Sequence, residues 1–275
     1  MFFSPRRVTT IYGFAALLLC LVQLASALAK DIVVFPKDFS RWRTTKPAEY
    51  DSAAWREAND SDRDWEVSRR GTGVVVKLRP WDEPDQPLPF EIKPPKGSYA
   101  PMLRGQRYVT MVNNGWIVGF NAGEWGGTLW WFSSDGRKKY MISKDQVSGF
   151  FPSKAGLLAI EGLAHMSIDK GRIIRLRQNR KGRWATERFV DLKHAPYAAA
   201  LDSGGSLIVA TSGQLLRVHP NKTIDVILNR EYWSGLYPDS MAIAPSGTIY
   251  LGMRYAVARM RRSAAGYKVD WITPQ

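Results

Sequence analysis

The side chains able to do chemistry in this sequence are few and scattered. Its 275 residues contain one cysteine, Cys20, and three histidines, and no His-Glu-x-x-His, Gly-x-Ser-x-Gly or phosphate-binding glycine loop occurs. Glu124-Trp125 lies between Gly123 and Gly126-Gly127, whose backbone freedom lets a ligand approach closely. Trp125 suits a stacking platform with Glu124 as hydrogen-bond acceptor; the alternative is a tight loop whose Trp fills space between sheets. His165 and His194 have the chemistry of an acid, a base or a metal ligand, but no ligand spacing joins them, which is equally the pattern of ordinary loop residues. Glu124, Glu161 and Asp239 are carboxylates of the kind that cleave glycosides in pairs, an outcome set by their separation in space. Tyr197, Tyr237, Arg254 and Tyr255 add aromatic and cationic contact groups.

Lys plus Arg number 39 against 25 Asp plus Glu, a formal charge of +14. Residues 1–29 have the three-part layout of a secretory signal: a basic flank (Arg6, Arg7), an apolar run from Ile11 to Leu24, and small residues at Ala25, Ala27 and Ala29. The run is shorter than the roughly 20 residues of a spanning helix. The expectation is cleavage after Ala27 or Ala29, leaving a chain of charge +12 without cysteine. Such a chain has no disulfide, thiolate metal site or nucleophilic Cys. It is expected to be periplasmic or secreted, without a transmembrane segment after cleavage, and nucleic acid is not an expected partner.

Positioning falls to a repeat. Turn glycines followed by apolar strands recur at Gly115, Gly156, Gly205 and Gly247, in steps of 41, 49 and 42 residues. Each is preceded by a short apolar segment and followed by a period-two strand, a hairpin turn and a fourth strand, as in Gln214–Val218, Pro220-Asn221-Lys222 and Ile224–Ile227. A period near 42 suits four-stranded blades, which bury both faces by stacking around an axis. The sequence is therefore expected to form an all-β propeller of four-stranded antiparallel blades, five to seven in number with six favoured. Residues 30–107 are a Trp- and Pro-rich region of divergent blades or a wrapping arm, and residues 108–275 are the repeat. Asp31-Ile32-Val33-Val34-Phe35 is a candidate first strand to complete the last blade.

The segment Tyr237-Pro238-Asp239-Ser240-Met241-Ala242-Ile243-Ala244-Pro245-Ser246-Gly247-Thr248-Ile249-Tyr250-Leu251-Gly252 resembles the blade-opening pattern of the NHL, gluconolactonase and strictosidine-synthase-like superfamily. The resemblance covers about residues 108 to 275 and implies the propeller fold. For the lactonases it also implies a divalent cation, calcium, held by a Glu, two Asn and an Asp from separate blades. Pro238-Asp239-Ser240-Met241 matches the Asp segment with Ser for Gly, whereas Pro196-Tyr197 stands where Pro-Asn is required.

In a propeller the loops between second and third strands and those between blades gather on one face. That face collects Glu124, Trp125, Glu161, His165, His194, Tyr197, Tyr237, Asp239, Arg254 and Tyr255 as candidate binding residues, with no catalytic residue and no metal or cofactor assigned. Function is read as noncatalytic binding of a protein or an anionic envelope partner through this face; the alternatives are a metal-dependent lactonase and an envelope sugar or lipid binder. Seven cations between Lys170 and Arg183, with Arg259, Arg261 and Arg262, form either a solvated edge or a surface for anions.

Overall fold

Each marker glycine turns the chain where it was expected to. Gly115, Gly156, Gly205 and Gly247 all have positive φ (144, 112, 83 and 84°), backbone that other residues rarely adopt. At Gly115 a Cβ would stand 2.0 Å from the Phe132 carbonyl oxygen, so the turn is closed to any side chain. The computed structural model describes residues 31–37, 41–80, 85–92, 103–229, 233 and 235–275; the expected signal segment lies outside them.

Five sheets are formed by the described residues. The first contains β1 (Ile32–Val34), β3 (Asp64–Arg70) and β4 (Gly73–Arg79). The second is an antiparallel meander of β5 (Gln106–Val112), β6 (Gly115–Asn121), β7 (Gly127–Phe132) and β8 (Lys139–Ser143). The third runs β9 (Val147–Ser153), β10 (Gly156–His165), β11 (Ile168–Gln178) and β12 (Trp184–Leu192). The fourth is β13 (Pro196–Leu201), β14 (Leu207–Thr211), β15 (Leu215–Val218) and β16 (Ile224–Leu228). The fifth is β17 (Ser240–Ile243), β18 (Ile249–Gly252), β19 (Val257–Ser263) and β20 (Gly266–Pro274), with β2 (Trp42–Thr45) added at its edge. The first strands of successive sheets pack side by side, β5 on β9, β9 on β13, β13 on β17 and β17 on β3. This is the architecture of an all-β propeller.

One expectation for the N-terminal region needs correction. The strand completing the last sheet is Trp42–Thr45, antiparallel to β20 with Thr45 opposite Trp271, and not residues 31–35. Ile32–Val34 instead lies parallel to β4. Trp42 decides this: its ring packs 4.3 Å from Phe35 and 4.9 Å from the wholly buried Trp65, wedging the edge strand between the first and fifth sheets. The described residues form five sheets, within the five to seven expected. The described part of residues 30–105 supplies the first sheet, the edge strand, the short helix α1 (Ala53–Asn59, capped by Ser52) and a strap that includes residues 85–92 and Leu103.

That strap does the work of a missing neighbour. One face of the second sheet, through Ile117 and Leu129, packs on the third sheet with Val147, Ala159 and Ile174. The opposite face, Val118, Phe120 and Phe132, is covered by Leu88, Phe90, Ile92 and Leu103, none of them in a strand. Phe90 lies 5.5 Å from Phe132 and against the turn glycine Gly136. Asp85 and Gln86 fasten the strap's start by accepting hydrogen bonds from the β5 amides of Arg107 (3.1 Å) and Val109 (2.8 Å). Phe90→Ala should therefore cost about 2–3 kcal/mol in urea unfolding, below the value for a fully buried Phe, while truncation of the exposed Tyr50 should cost less than about 0.5 kcal/mol.

Candidate functional site

The loops that close the second-to-third strand connections and those between sheets lie together at one end of the propeller, and the predicted residues fall into four groups there. In the first, the β6–β7 loop carries Glu124 and Trp125 on a 3-10 turn over Gly123–Trp125. Glu124 Oε2 reaches His165 Nε2 at 2.7 Å, tying that loop to the β10–β11 turn. The tie leaves two large apolar side chains in water, Trp125 at 78% exposure and Met166, next to His165, at 94%. Trp125 is thus not a filler between sheets. Met166 was missed by sequence reasoning; it has φ of 52° at the tip of its turn, and a Met between His and Ser carries no sequence signal of this.

The second group surrounds Asp169 at the start of β11. Its carboxylate accepts from His194 Nδ1 (2.7 Å), from Ser212 Oγ (2.7 and 2.8 Å) and from the Ala195 amide (2.8 Å). Burial alone would raise this carboxyl, but the Ala195, His194 and Ser212 hydrogen bonds together hold it below the ordinary carboxylate value. Serine, histidine and aspartate meet here, yet the aspartate sits between the other two, so no base addresses the serine hydroxyl and the arrangement is not a nucleophilic triad. Tyr197 stands nearby, its phenol raised by burial and then by the charges of Asp169 and Tyr237.

Tyr237, Arg254 and Tyr255 form the third. The Arg254 guanidinium lies 5.1 Å from the Tyr237 ring centre and donates to the Asn59 carbonyl at the end of α1 (2.7 Å). Tyr237 and Tyr255 both have positive φ, 47 and 70°, conformations that side chains disfavour. Tyr255 is fixed by backbone pairing: its amide donates to Arg63 O (2.7 Å) and its carbonyl accepts from Trp65 Nε1 (3.1 Å). It is a structural residue joining the first and fifth sheets, while Tyr237 projects at 57% exposure.

The fourth group is built on two carboxyl pairs, each closed by an arginine, and the sequence reading found only half of each. Asp239 precedes β17 and meets Asp64, the first residue of β3; Arg79 Nη1 binds Asp239 Oδ2 at 2.5 Å. Each aspartate keeps a buried Oδ1 with no donor among the described residues. A single proton held between the two carboxyls would supply that donor. Burial first, then the Asp64 charge, raises Asp239 to about 7 against the opposing pull of Arg79. Asp64 is likewise raised by burial, against Asp239, Arg79, Arg254 and the Trp65 amide. Tyr108 of β5, beside them, is pushed up to about 12 by burial. The second pair joins Glu161 of β10 and Asp145, both ion-paired to Arg172 of β11, with Asp145 at 2.7 Å. Glu161 is raised by burial and then by Asp145, opposed by Arg172. Asp64, Asp145 and Asp239 all occur within two residues of the start of a first strand, a register that would have exposed Asp64 and Asp145 had the strand starts been known.

This chemistry does not fit calcium. Asp239, the one residue matching a lactonase ligand, faces a guanidinium and a second carboxyl, and Tyr197 offers a phenol rather than an amide. Among the described residues no group of three or more His, Cys, Asp or Glu could hold a metal ion. Part of the basic run is held by contacts within the fold. Besides Arg172, Arg175 and Arg177 pair with Glu187, Arg259 and Arg261 with Asp270, and Arg183 covers the Tyr140 ring at 4.1 Å.

Because the folded pair holds a proton that the unfolded aspartates release, it stabilises the fold below about pH 4, and that contribution is lost as pH rises toward about 7. Asp239→Asn removes one of the two like charges, leaving Asp64 to Arg79 and Arg254. Its stability relative to wild type should therefore rise as pH goes from about 4 to about 7. Urea unfolding of both proteins across that range checks this; a difference independent of pH would show that no proton is shared.

No protein-family model matches this chain, and no curated protein matches it in sequence. Several solved structures do resemble it. The virginiamycin B lyase of Staphylococcus aureus is 14% identical, with a TM-score of 0.43 over 62% of this chain and 56% of the lyase. A candidate gluconolactonase is 18% identical, with a TM-score of 0.38 over 56% of this chain and 58% of that one. An auxiliary nutrient binding protein from Bacteroides ovatus is 9% identical, with a TM-score of 0.39 over 57% and 38%. The chain thus spans a little over half the length of the lyase, and these neighbours are propellers of the lyase and gluconolactonase-like kind.

Proposed function

We propose that this chain is an exported, noncatalytic propeller that binds a partner protein in the cell envelope through its loop-rich face. The observation that carries the reading is the contrast on that face. Trp125, Met166 and Tyr237 stand in water at 78, 94 and 57% exposure, while the carboxylates and histidines around them are closed on partners within the fold. Exposed aromatic and methionine side chains, with an arginine stacked beside them, have the composition of a protein-binding hot spot. Glu124–His165 and Asp169–His194 brace the loops that present them, which lowers the ordering cost of binding. Among the described residues no helix is long and apolar enough to cross a membrane.

Residues 30–275, immobilised and exposed to envelope extract of the source organism, should retain a specific protein, and Trp125→Ala or Tyr237→Ala should weaken that capture by about tenfold or more. Both variants should melt within a few degrees of wild type, since neither side chain is buried. Capture indifferent to both substitutions would remove this face from the function. The lactonase reading has its own test in calcium: millimolar calcium should leave the melting temperature unchanged. A rise erased by Asp239→Ala would replace the binding reading with metal-dependent hydrolysis, because a ligand that binds only the folded state raises apparent stability.

A further inference from the structure

We propose that a cleft on the opposite face, between the fourth and fifth sheets, binds a phosphate group. The cleft has a volume of about 730 Å³ and is reached by three guanidinium groups from three different sheets: Arg69 of β3, Arg217 of β15 and Arg262 of β19. One carboxylate, Asp202, lines it with them. Asp202 Oδ2 lies 3.2 Å from Arg217 Nε, and its Oδ1 is already engaged by the amides of Gly204 (2.9 Å) and Ser206 (3.0 Å). Two cations are left over, the charge of a phosphate monoester near neutral pH.

The guanidinium groups are set for an incoming oxyanion. Arg69 is oriented by Nε to Gly71 O (3.1 Å) and Nη1 to Ile243 O (3.2 Å), which leaves Nη2 and the second Nη1 hydrogen for a ligand. Arg262 uses Nε on the Tyr267 hydroxyl (3.2 Å), leaving both terminal nitrogens, the fork that meets two oxygens of one phosphate. Arg217 Nε is buried and turned to Asp202 without good hydrogen-bond alignment, so its terminal nitrogens are the ones that face a ligand. His219 closes one side with both nitrogens engaged, Nδ1 by Ser206 Oγ (3.2 Å) and Nε2 by Asp225 (2.7 Å), so it serves as a wall. Ile243, Ala244 and Ile249 supply apolar lining for the group that carries the phosphate.

The test is calorimetric titration of residues 30–275 with inorganic phosphate and with glycerol phosphate, at fixed ionic strength set by chloride. Saturable binding is expected, weakened about tenfold or more in both Arg262→Gln and Arg69→Gln, the typical loss for a hydrogen bond to a charged group. Arg262 is exposed, so its variant should melt like wild type. Vesicles of phosphatidylglycerol, against neutral phosphatidylcholine, distinguish the source. Arg262-dependent sedimentation with the anionic vesicles assigns the cleft to a lipid headgroup, and calorimetric binding without sedimentation assigns it to a free phosphate compound. No saturable phosphate binding, or binding unaffected by both substitutions, overturns the proposal.

Discussion

A four-stranded sheet has two broad apolar faces, and everything else in this molecule depends on both being covered. The third, fourth and fifth sheets cover one another through Leu158, Ile173, Leu207 and Leu216 on one side and Ile208, Leu215, Ile249 and Leu251 on the next. The first sheet covers the fifth with Trp65, Val67, Val74 and Val76. At the seam with the second sheet the solution changes. The second sheet presents Val118, Phe120 and Phe132 to a strap led by Leu88 and Phe90, while the other face of the first sheet carries Asp64, Glu66, Lys77 and Arg79. An apolar face cannot pack on that polar one, so the seam holds a cleft of about 800 Å³ with Arg79, Tyr108 and Asp239 in its wall.

The carboxyl pairs follow from the same geometry. First strands converge on the axis, so residues at their starts are crowded together and partly out of water. An aspartate there is costly as a lone buried charge and must find a cation or a proton. Asp145 and Glu161 find Arg172; Asp64 and Asp239 find Arg79 and one shared proton. Where a divalent ion would neutralise such a cluster in a metal-binding propeller, arginine does so here. The electrostatic problem is the same, and its solution removes the charge that would attract a metal.

The repeat was legible because a turn closed to side chains leaves glycine at a fixed interval, as at Gly115 and Gly205, and because the strands between alternate with period two. The four sheets of residues 108–275 could be read from those two signals. The first sheet could not: β1 pairs in parallel with β4, skipping β2, α1 and β3, and no local pattern records a pairing across some 40 residues. Nor could the edge strand, since Trp42-Arg43-Thr44-Thr45 looks like a loop until Trp42 is seen against Phe35 and Trp65. The site was half legible for a related reason. Loop position identified the exposed Trp125 and Tyr237 and the buried Asp239, but partners from other sheets, Asp64, Arg79 and Asp169, are chosen by three-dimensional neighbourhood.

The two ends of the propeller therefore carry different chemistry. At the loop-rich end, connections such as Gly123–Trp125 and Gly235–Tyr237 make helical turns or positive-φ bends that push aromatic side chains outward. At the other end the strands are joined by tight hairpins, Ser203–Gly205 and Ser246–Gly247 among them, too short to project anything themselves. What reaches solvent there comes from the strands themselves, Arg69 on the edge strand β3 and Arg217 and Arg262 on the interior strands β15 and β19. Side by side around a narrow axis, Arg69, Arg217 and Arg262 converge because the sheets that carry them do. Positive charge therefore concentrates wherever too few carboxylates accompany the arginines. On the outer hairpin of the fifth sheet Asp270 is shared by Arg259, Arg261 and Lys268, and in the cleft beside it Asp202 alone faces three guanidinium groups.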